Sequence, residues 1–342
     1  MRATRRQRLM PMIAFIVLCP VASVIGAPST LVAALGPAHI SGPIAIAVGR
    51  EHVWVANAHS NSVVELNASD GSQVRVINSQ TDELYRPDAM ILSGDHLWVS
   101  DLADNEVTEL NTFDGSLVRV IRSETDELFE PVAITVAGNL VLSANYIGDS
   151  VTEFSASSGA LVRIVADTND ELFSPDAIAD NGAYVWVANF DHNEVVELNA
   201  ANGARLRVLS STQYGFKGPA AIAVNGNRVW VVNTSDNSIT EINASSGALI
   251  RVIRARSDDL NGPHAITASR NRVWVVNSRG NSVTELNATN GSLVRVIGAE
   301  PDRFNNPTSI AVSGAHVWVT NLDGNSVTEL RRSDGSLVRV IV

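Results

Sequence analysis

The sequence is almost without cysteine. Cys19 is the only one, and it lies in an apolar N-terminal segment. Leu18 precedes Cys19, whereas bacterial lipoproteins carry a small residue there, so we do not expect a lipid anchor. Once that segment is removed the protein has no thiol and no disulfide, and its stability must come from packing.

Long hydrophobic runs are also missing. The longest apolar stretch, residues 10–25, is interrupted by Pro20 and follows four arginines within the first eight residues. A membrane-spanning helix needs about 20 apolar residues, so this pattern predicts a signal peptide over residues 1–29. Small residues permit a cut anywhere between residues 23 and 38. We therefore expect a secreted, periplasmic or cell-surface protein that keeps no transmembrane span after the signal is removed.

Basic residues are too few for a nucleic-acid partner. The chain has 25 Lys and Arg against 36 Asp and Glu, and residues 1–29 hold four arginines and no acid, so residues 30–342 carry 21 − 36 = −15. Binding to a phosphate backbone depends on clustered basic side chains. We expect a protein, glycan or small-molecule partner instead, and a monomer.

Catalytic motifs are not evident. We find no Ser-His-Asp arrangement, no glycine loop suited to phosphates and no spacing typical of zinc ligands. The sequence therefore favours a protein without enzymatic activity and without a cofactor, although a divalent cation stays open.

The sequence does contain a strong internal repeat. Seven prolines recur every 44 residues and open copies of one phrase: Pro43, Pro87, Pro131, Pro175, Pro219, Pro263 and Pro307. Such a period marks a propeller or solenoid whose units pack on their neighbours. Seven units fill residues 35–342, so residues 30–342 form one domain.

Each repeat predicts four short strands. In the first copy these are residues 44–48, 52–56, 62–66 and 73–77, rich in Val and Ile and separated by turn residues. The intervals leave no room for a helix, so consecutive strands should pair antiparallel. The predicted fold is all-β, a seven-bladed β-propeller with blades starting near residues 43, 87, 131, 175, 219, 263 and 307.

Most recurring residues have a structural interpretation. All six tryptophans share one position in the second strand, where they should fill the space between blades: Trp54, Trp98, Trp186, Trp230, Trp274 and Trp318. If Leu66 faces Val74 across the Asp70-Gly71 turn, then Glu65 faces Arg75, and the same arithmetic pairs Glu285 with Arg295. We expect these pairs to be salt bridges worth roughly 0.2–1 kcal/mol each.

Two recurring asparagines flank the turn between the second and third strands. Asn57 and Asn61 represent them in the first blade. Asn suits Asx turns and the left-handed backbone conformation. We favour turn chemistry for both sets over a carbohydrate or metal site.

Function is expected where the copies differ. The residue after each proline varies, and it should lie near the rim of the central channel: Ile44, Asp88, Val132, Asp176, Ala220, His264 and Thr308. Asp88, Asp176, His264 and Thr308 are therefore the candidate binding residues, and Asp88 and Asp176 are the candidate metal ligands. The alternative is that these are solvated rim residues.

The loops that enter the blades are also uneven. Blades one to three are acidic there, at 82–83, 126–127 and 170–171, whereas Lys217, Arg254 and Arg256 follow, with Arg270, Arg272 and Arg279 in blade six. We predict an electrically two-sided rim. Aromatic residues near these loops are candidate anchors for a partner: Tyr85, Phe129, Phe173, Tyr214, Phe216 and Phe304.

The repeats resemble the YVTN and NHL families of β-propellers. The matching phrases are P-x-A-I-A-V, V-W-V-x-N and N-S-V-T-E-L, over residues 43–342. The resemblance implies a propeller but not one activity, because these families include binding modules, sensors and a few enzymes. The segment 262–267 also resembles a blade of streptogramin lyases that supplies a catalytic histidine, which would be His264. The neighbouring lyase motifs are absent, since Asn306 and Thr308 flank Pro307.

Two functions follow as expectations. The first is an exported, non-enzymatic propeller that binds a protein, glycan or small molecule on a face that carries loops. The alternative is a propeller lyase or lactonase that uses His264 with Asp88 and Asp176 at the channel mouth, together with a divalent cation.

The way the ring closes is left open by the sequence. The seventh repeat ends with its own fourth strand at residues 337–342, while residues 30–36 weakly echo 292–298. The N-terminal segment either adds an edge strand to the last blade or leaves with the signal.

Overall fold

A computed structural model gives the fold. It describes residues 39–78, 84–122, 128–166, 172–254, 259–298 and 303–342. The signal peptide, Cys19, residues 30–36, the acidic pairs at 82–83, 126–127 and 170–171, and Arg256 lie outside these ranges.

Within these ranges, twenty-eight strands form seven antiparallel sheets of four strands, each in the order of the chain. The innermost strands begin at the seven prolines: β1 (Pro43–Val48), β5 (Pro87–Ser93), β9 (Pro131–Ala137), β13 (Pro175–Asp180), β17 (Pro219–Asn225), β21 (Pro263–Ser269) and β25 (Pro307–Ser313). The second strands are β2 (His52–Asn57), β6 (His96–Asp101), β10 (Leu140–Asn145), β14 (Tyr184–Asn189), β18 (Arg228–Asn233), β22 (Arg272–Asn277) and β26 (His316–Asn321). The third are β3 (Ser62–Asn67), β7 (Glu106–Asn111), β11 (Ser150–Ser155), β15 (Glu194–Asn199), β19 (Ser238–Asn243), β23 (Ser282–Asn287) and β27 (Ser326–Arg331). The outermost are β4 (Gln73–Asn78), β8 (Leu117–Arg122), β12 (Leu161–Ala166), β16 (Arg205–Ser210), β20 (Leu249–Arg254), β24 (Leu293–Ile297) and β28 (Leu337–Ile341).

The prediction of a seven-bladed β-propeller is confirmed. The innermost strand of each blade packs beside that of the next, and β1 packs beside β25, so the ring is closed. One short helix, α1 (Ser211–Tyr214), interrupts the all-β pattern in the described ranges. No helix in those ranges is long and apolar enough to cross a membrane.

Burial falls outward along each blade. The second and third strands are almost completely buried, whereas the outermost strands are half-exposed. The six tryptophans on the second strands are at most 5% exposed, and Leu142 holds their position in the third blade. Apolar clusters join neighbouring blades, as where Trp318 packs with Val53 and Val55. The core therefore lies between blades, as expected for large side chains that fill the gaps between radial sheets.

The register on the outer strand pair differs in one detail from the prediction. Glu65 faces Arg75, but Leu66 faces Gln73 rather than Val74, because a β-bulge lies between Glu65 and Leu66. The positive φ of Gly71, 75°, forms the turn that leads into this bulge.

The glutamates of these pairs are buried and their arginines are not. Glu65 Oε2 lies 2.6 Å from Arg75 Nε, and Glu285 Oε2 lies 2.7 Å from Arg295 Nε. The same pair recurs in every blade: Glu109 with Arg119, Glu153 with Arg163, Glu197 with Arg207, Glu241 with Arg251 and Glu329 with Arg339. In most blades the arginine also donates to a backbone carbonyl of the next blade, as from Arg75 to Phe113 O at 3.1 Å. The pair thus links adjacent blades as well as adjacent strands.

The two sets of asparagines play different roles. Asn61 and its equivalents are left-handed, with φ of 44–59°, as the turn interpretation requires. Asn57 and its equivalents, by contrast, are buried last residues of the second strand and not turn residues. Asn145 Nδ2, for example, donates to the Ser150 hydroxyl at 3.0 Å and the Thr152 hydroxyl at 2.8 Å. The expectation of turn chemistry is therefore wrong for this first set.

The left-handed set also joins the blades. Its side-chain oxygens accept the backbone N–H just before the next blade's proline at 2.7–2.9 Å in all seven blades. The seventh of these bonds runs from Gly42 N to Asn325 Oδ1 and connects the last blade to the first. Arg339 Nη2 adds a bond to Ser69 O at 2.9 Å.

Candidate functional site

The ring has two faces of different construction. The connections between blades and the turns from second to third strands lie on one side, which we call the proline face. The turns from first to second and from third to fourth strands lie on the other side, the opposite face. The innermost strands surround the central channel between the two faces.

The variable residue after each proline is a β-bulge. In all seven blades the register of the innermost strand shifts between the proline and the residue two positions later. A bulge leaves one residue without a cross-strand partner and re-aims its side chain. This explains why the position tolerates Ile44, Asp88, His264 and the other side chains found there.

Asp88 and Asp176 lie close enough for the charge of Asp88 to raise the pKa of Asp176. Burial raises the pKa of Asp88 to about 6, with Arg86 lowering the pKa and Glu130 raising it further. Burial also raises the pKa of Asp176 to about 7, and the charges of Asp88 and Asp191 add to the shift. Both residues are half-buried, so their hydration is limited.

His264 is not part of this pair. Burial among the channel atoms lowers the pKa of His264, although its side chain keeps open surface. The charges that shift the pKa values of Asp88 and Asp176 do not include His264. Across the ranges that the structure describes, no group of three or more His, Cys, Asp or Glu side chains is arranged to hold a metal ion.

Thr308 lies at the same repeat position but is buried. Its hydroxyl bonds to Pro43 O at 3.0 Å and lies 2.9 Å from the Thr320 hydroxyl. In this structure Thr308 ties the last blade to the first and does not face the channel solvent.

Aromatic side chains occupy one position of the proline face in three successive blades. Tyr85 is 44% exposed and Phe129 is 40% exposed, while Phe173 stacks on His192 with ring centroids 4.3 Å apart. The remaining blades have polar residues at this position: Lys217, Asn261, Asn305 and Ser41. Ile147, 40% exposed, lies in a turn on the same face.

The other candidate anchors are packing residues. Tyr214, Phe216 and Phe304 are buried, so the expectation that they are exposed is wrong. Phe216 and Phe304 share the repeat position of Leu84 and Leu128, which are also buried. The Tyr214 hydroxyl donates to Gly247 O at 2.6 Å.

Acidic side chains surround the exposed aromatics. Asp104 and Asp191 are exposed, and Glu130 is partly buried. Burial raises the pKa of Tyr146, and the charges of Asp191, Asp176 and Glu130 add to this shift, so these groups lie close together. We call Tyr85, Phe129 and Ile147, with the acids Asp88, Glu130, Asp176 and Asp191, the aromatic-acidic patch.

The basic residues do not all share one rim. Lys217 and Arg279 lie on the proline face, but Arg270 and Arg272 lie on the opposite face, between β21 and β22 and at the start of β22. The predicted two-sided rim therefore loses two of its basic members, and its acidic pairs lie outside the described residues.

Sequence reasoning missed Ile147, Tyr146, Glu130 and Asp191. Only Ile147 could have been found from the sequence. It is the one large apolar residue at its turn position, which holds His59, Ala103 and other small or polar residues in the remaining blades. Packing of the blade does not require an isoleucine in this turn, and an exposed apolar side chain there can contribute to a binding surface.

The comparisons with known proteins identify a family. The family described as PQQ_2, outer membrane protein assembly factor BamB, matches residues 132–340, which is more than half of the chain. The chain belongs to this family. No curated protein is significantly similar to it.

Solved structures share the fold at low sequence identity. A streptogramin B lyase structure matches with a TM-score of 0.72 and 17% identity, over 85% of this chain and 93% of the lyase chain. Hydrazine synthase of Kuenenia stuttgartiensis matches with a TM-score of 0.71 and 14% identity, over 89% of this chain and 99% of that chain. Identities this low show the fold alone. The comparisons support a β-propeller family, whereas the resemblance to YVTN and NHL repeats stays a prediction.

Proposed function

We propose that this protein is an exported, non-enzymatic propeller that binds a protein partner through the aromatic-acidic patch. The observation that carries the proposal is the exposure of Tyr85 and Phe129 at one repeat position of adjacent blades, beside Ile147. The same position is polar in blades five, six, seven and one, so the propeller fold itself does not require an aromatic side chain there.

The chemistry of the patch indicates the kind of partner. Large rigid side chains near the centre of an interface contribute most of the binding energy, and surrounding charges fix orientation and rate of encounter. Glu130 and Asp191 give the patch a negative sign, to which Asp88 adds beside the one neighbouring cation among the described residues, Arg86. We therefore expect a partner with an apolar segment flanked by Lys or Arg.

The family supports a protein partner over a glycan or a small solute. Its description names an outer membrane protein assembly factor. Together with the predicted signal peptide, this favours a periplasmic location near the outer membrane.

The patch is tested by capture of partners on the immobilised protein from the host's exported fraction. We expect a stoichiometric partner that the wild-type protein retains and Tyr85→Ala/Phe129→Ala releases. Phe113→Ala is the matched control, because Phe113 is 87% exposed on the opposite face of the second blade. Equal retention by all three forms would contradict the proposed patch.

Export is tested separately by the intact mass of the protein recovered from the periplasm or medium. We expect a mature chain that begins between residues 23 and 38. A full-length chain confined to the cytoplasm would contradict export.

The enzymatic alternative rests on a different observation. The pKa of Asp176, about 7, is in the range that suits a general acid or base, and Asp88 lies near it. The described residues do not assemble a cation site, so we assign no step to a metal. If the alternative were correct, His264→Ala would abolish turnover of a lactone or cyclic-ester substrate while partner capture stayed intact.

A further inference from the structure

The opposite face of blades five and six contains a pocket of about 320 Å³. Its walls come from the turn after β17, the turn after β21 and the ends of β19 and β23. None of the nine residues that line it, all within the described ranges, is acidic, and two are arginines, Arg228 and Arg270. The lining thus contains no acid, although the chain as a whole has a formal net charge of −11.

Arg270 stands at a position where the fold favours glycine. Its φ is 56°, in the left-handed region, and five blades have a glycine of positive φ there: Gly94, Gly138, Gly182, Gly226 and Gly314. A residue with a side chain is strained in this conformation. Arg270 is exposed, and in the part of the chain that the structure describes its guanidinium has no hydrogen bond or ion pair. Packing therefore does not explain an arginine at this position.

Further cations lie near Arg270. Arg332 Nη2 donates to Ser269 O at 2.9 Å, which places the guanidinium beside the turn. Burial lowers the pKa of Arg332, the charges of Arg270 and Arg272 lower it further, and the charge of Glu285 opposes the shift. Arg228 and Arg272 are held by the buried carboxylates of Glu241 and Glu285. Those acids are thus already paired, and Arg270 is left for an anion.

The amide side chains around the pocket are set as donors. Asn227 Oδ1 accepts the Ser245 backbone N–H at 2.9 Å, and Asn243 Oδ1 accepts the same group at 3.1 Å. Because their carbonyl oxygens are engaged by the backbone, their NH₂ groups are the free atoms. Asn225 Nδ2 donates to Arg270 O at 2.7 Å and stabilises the turn in its left-handed form.

The turns that border the pocket differ from their copies in charge. The residue after the glycine position is acidic in the first two blades, Glu51 and Asp95, but is Asn227 in blade five and Asn271 in blade six. The next residue is histidine in blades one, two and seven, but Arg228 and Arg272 here. Relative to the first two blades, two successive positions thus lose an acid and gain a base in both blades, and Arg270 adds a further base in blade six.

We propose that this pocket binds the phosphate group of a small solute or of a lipid head group. Guanidinium and amide donors without a competing acid are the groups that recognise an oxyanion, and Arg gives two parallel hydrogen bonds to it. The volume lies at the lower end of the range of small-molecule pockets, with room for a phosphorylated group of modest size. The site lies on the opposite face and does not depend on the proposed protein partner.

The test measures binding of inorganic pyrophosphate and of phosphatidylglycerol vesicles, with phosphatidylcholine vesicles as the neutral comparison. We expect saturable binding of at least one anionic probe, weakened about tenfold or more in Arg270→Gly. Arg270→Gly restores the residue of five other blades, so its melting temperature should stay equal or rise. Asn227→Asp, which introduces the acid found as Asp95, should weaken binding likewise.

Arg50→Gly is the matched control. Arg50 holds the same repeat position and face in the first blade, but Glu51 follows it, and the change of net charge is identical. If Arg270→Gly loses pyrophosphate binding but keeps vesicle binding, the ligand is a soluble phosphate. If it loses vesicle binding but keeps pyrophosphate binding, the ligand is a lipid head group. Equal effects of Arg50→Gly and Arg270→Gly, unchanged binding in Arg270→Gly, or no binding of either anionic probe would overturn the proposal.

Discussion

At the scale of single residues, the repeat provides its own comparison. A side chain that departs from its copies is either tolerated or used, and the structure shows which contacts it gains or loses. Asp101 is an example, because six blades have Asn at its position and the second blade has a carboxyl that is completely buried.

Asp101 should make stability depend on pH. Burial raises the pKa of Asp101 to about 8; the Thr108 hydroxyl, which donates to Oδ2 at 2.7 Å, opposes this shift, and Glu106 adds to it. Because the folded form holds this proton more tightly than the unfolded chain, the contribution of Asp101 to stability falls as the pH rises from about 4 to about 8.

Asp101→Asn should therefore raise the free energy of unfolding by roughly 2 kcal/mol near pH 8 and have less effect near pH 5. Melting temperatures at both pH values measure the difference. Asp95→Asn, an exposed change in the same blade, is the control. A lower melting temperature for Asp101→Asn at the higher pH would show that the carboxyl is not the cause.

The buried glutamates differ in the number of their cations. Glu65 lies 2.9 Å from His52 Nδ1 as well as 2.6 Å from Arg75 Nε. In the third blade Leu140 replaces the histidine, and Arg163 is the one cation that lowers the pKa of Glu153 against burial.

Arg163→Gln should lower the free energy of unfolding by about 3 kcal/mol, because it leaves the buried charge of Glu153 without a cation. Arg75→Gln should lower it by less, because His52 still lies beside Glu65. Both arginines also donate a hydrogen bond to a backbone carbonyl of the next blade, so each substitution removes one such bond. Chemical unfolding of the two variants decides between them. An equal or larger loss for Arg75→Gln would be inconsistent with this role of the histidine.

At the scale of elements, each blade is a local meander, which is why its strands could be predicted from turn residues and Val-rich runs. The bulge between Glu65 and Leu66 was not visible in the same way, because it adds one residue without changing the 44-residue period. The bulge after each proline could not be predicted for the same reason. The side-chain directions of Asp88, Asp176 and His264, which depend on this bulge, could therefore not be predicted either.

The outermost strand of the last blade should be essential to ring closure. β28 pairs with β27 and places Arg339 beside the buried Glu329, while Ile341 packs with Val53 and Trp318 of the seam between the last and first blades.

Deletion of residues 337–342 should therefore expose the edge of β27 and cause unfolding or aggregation. Removal of Val342 alone, which is 65% exposed, should have little effect. Both are followed by melting temperature and light scattering. A melting temperature unchanged by the longer deletion would refute this role of β28.

At the scale of the whole molecule, a seven-fold scaffold carries two surfaces that break its symmetry. The aromatic-acidic patch lies on the proline face of blades two to four, and the basic pocket lies on the opposite face of blades five and six. The period predicts the scaffold, because every copy repeats the same packing. It does not predict which copies form a surface, because the residue at one position changes from blade to blade: Phe129 is an exposed aromatic residue, whereas Asn261 and Asn305 hold the same position in later blades.

The central claim is that the aromatic-acidic patch contacts a protein partner. The most direct measurement places a photo-crosslinking amino acid at position 129, and separately at position 113, in the protein expressed in its exporting host. We predict a discrete crosslinked species of defined mass from position 129 and none from position 113. A species formed equally from both positions, or from position 113 alone, would contradict the claim.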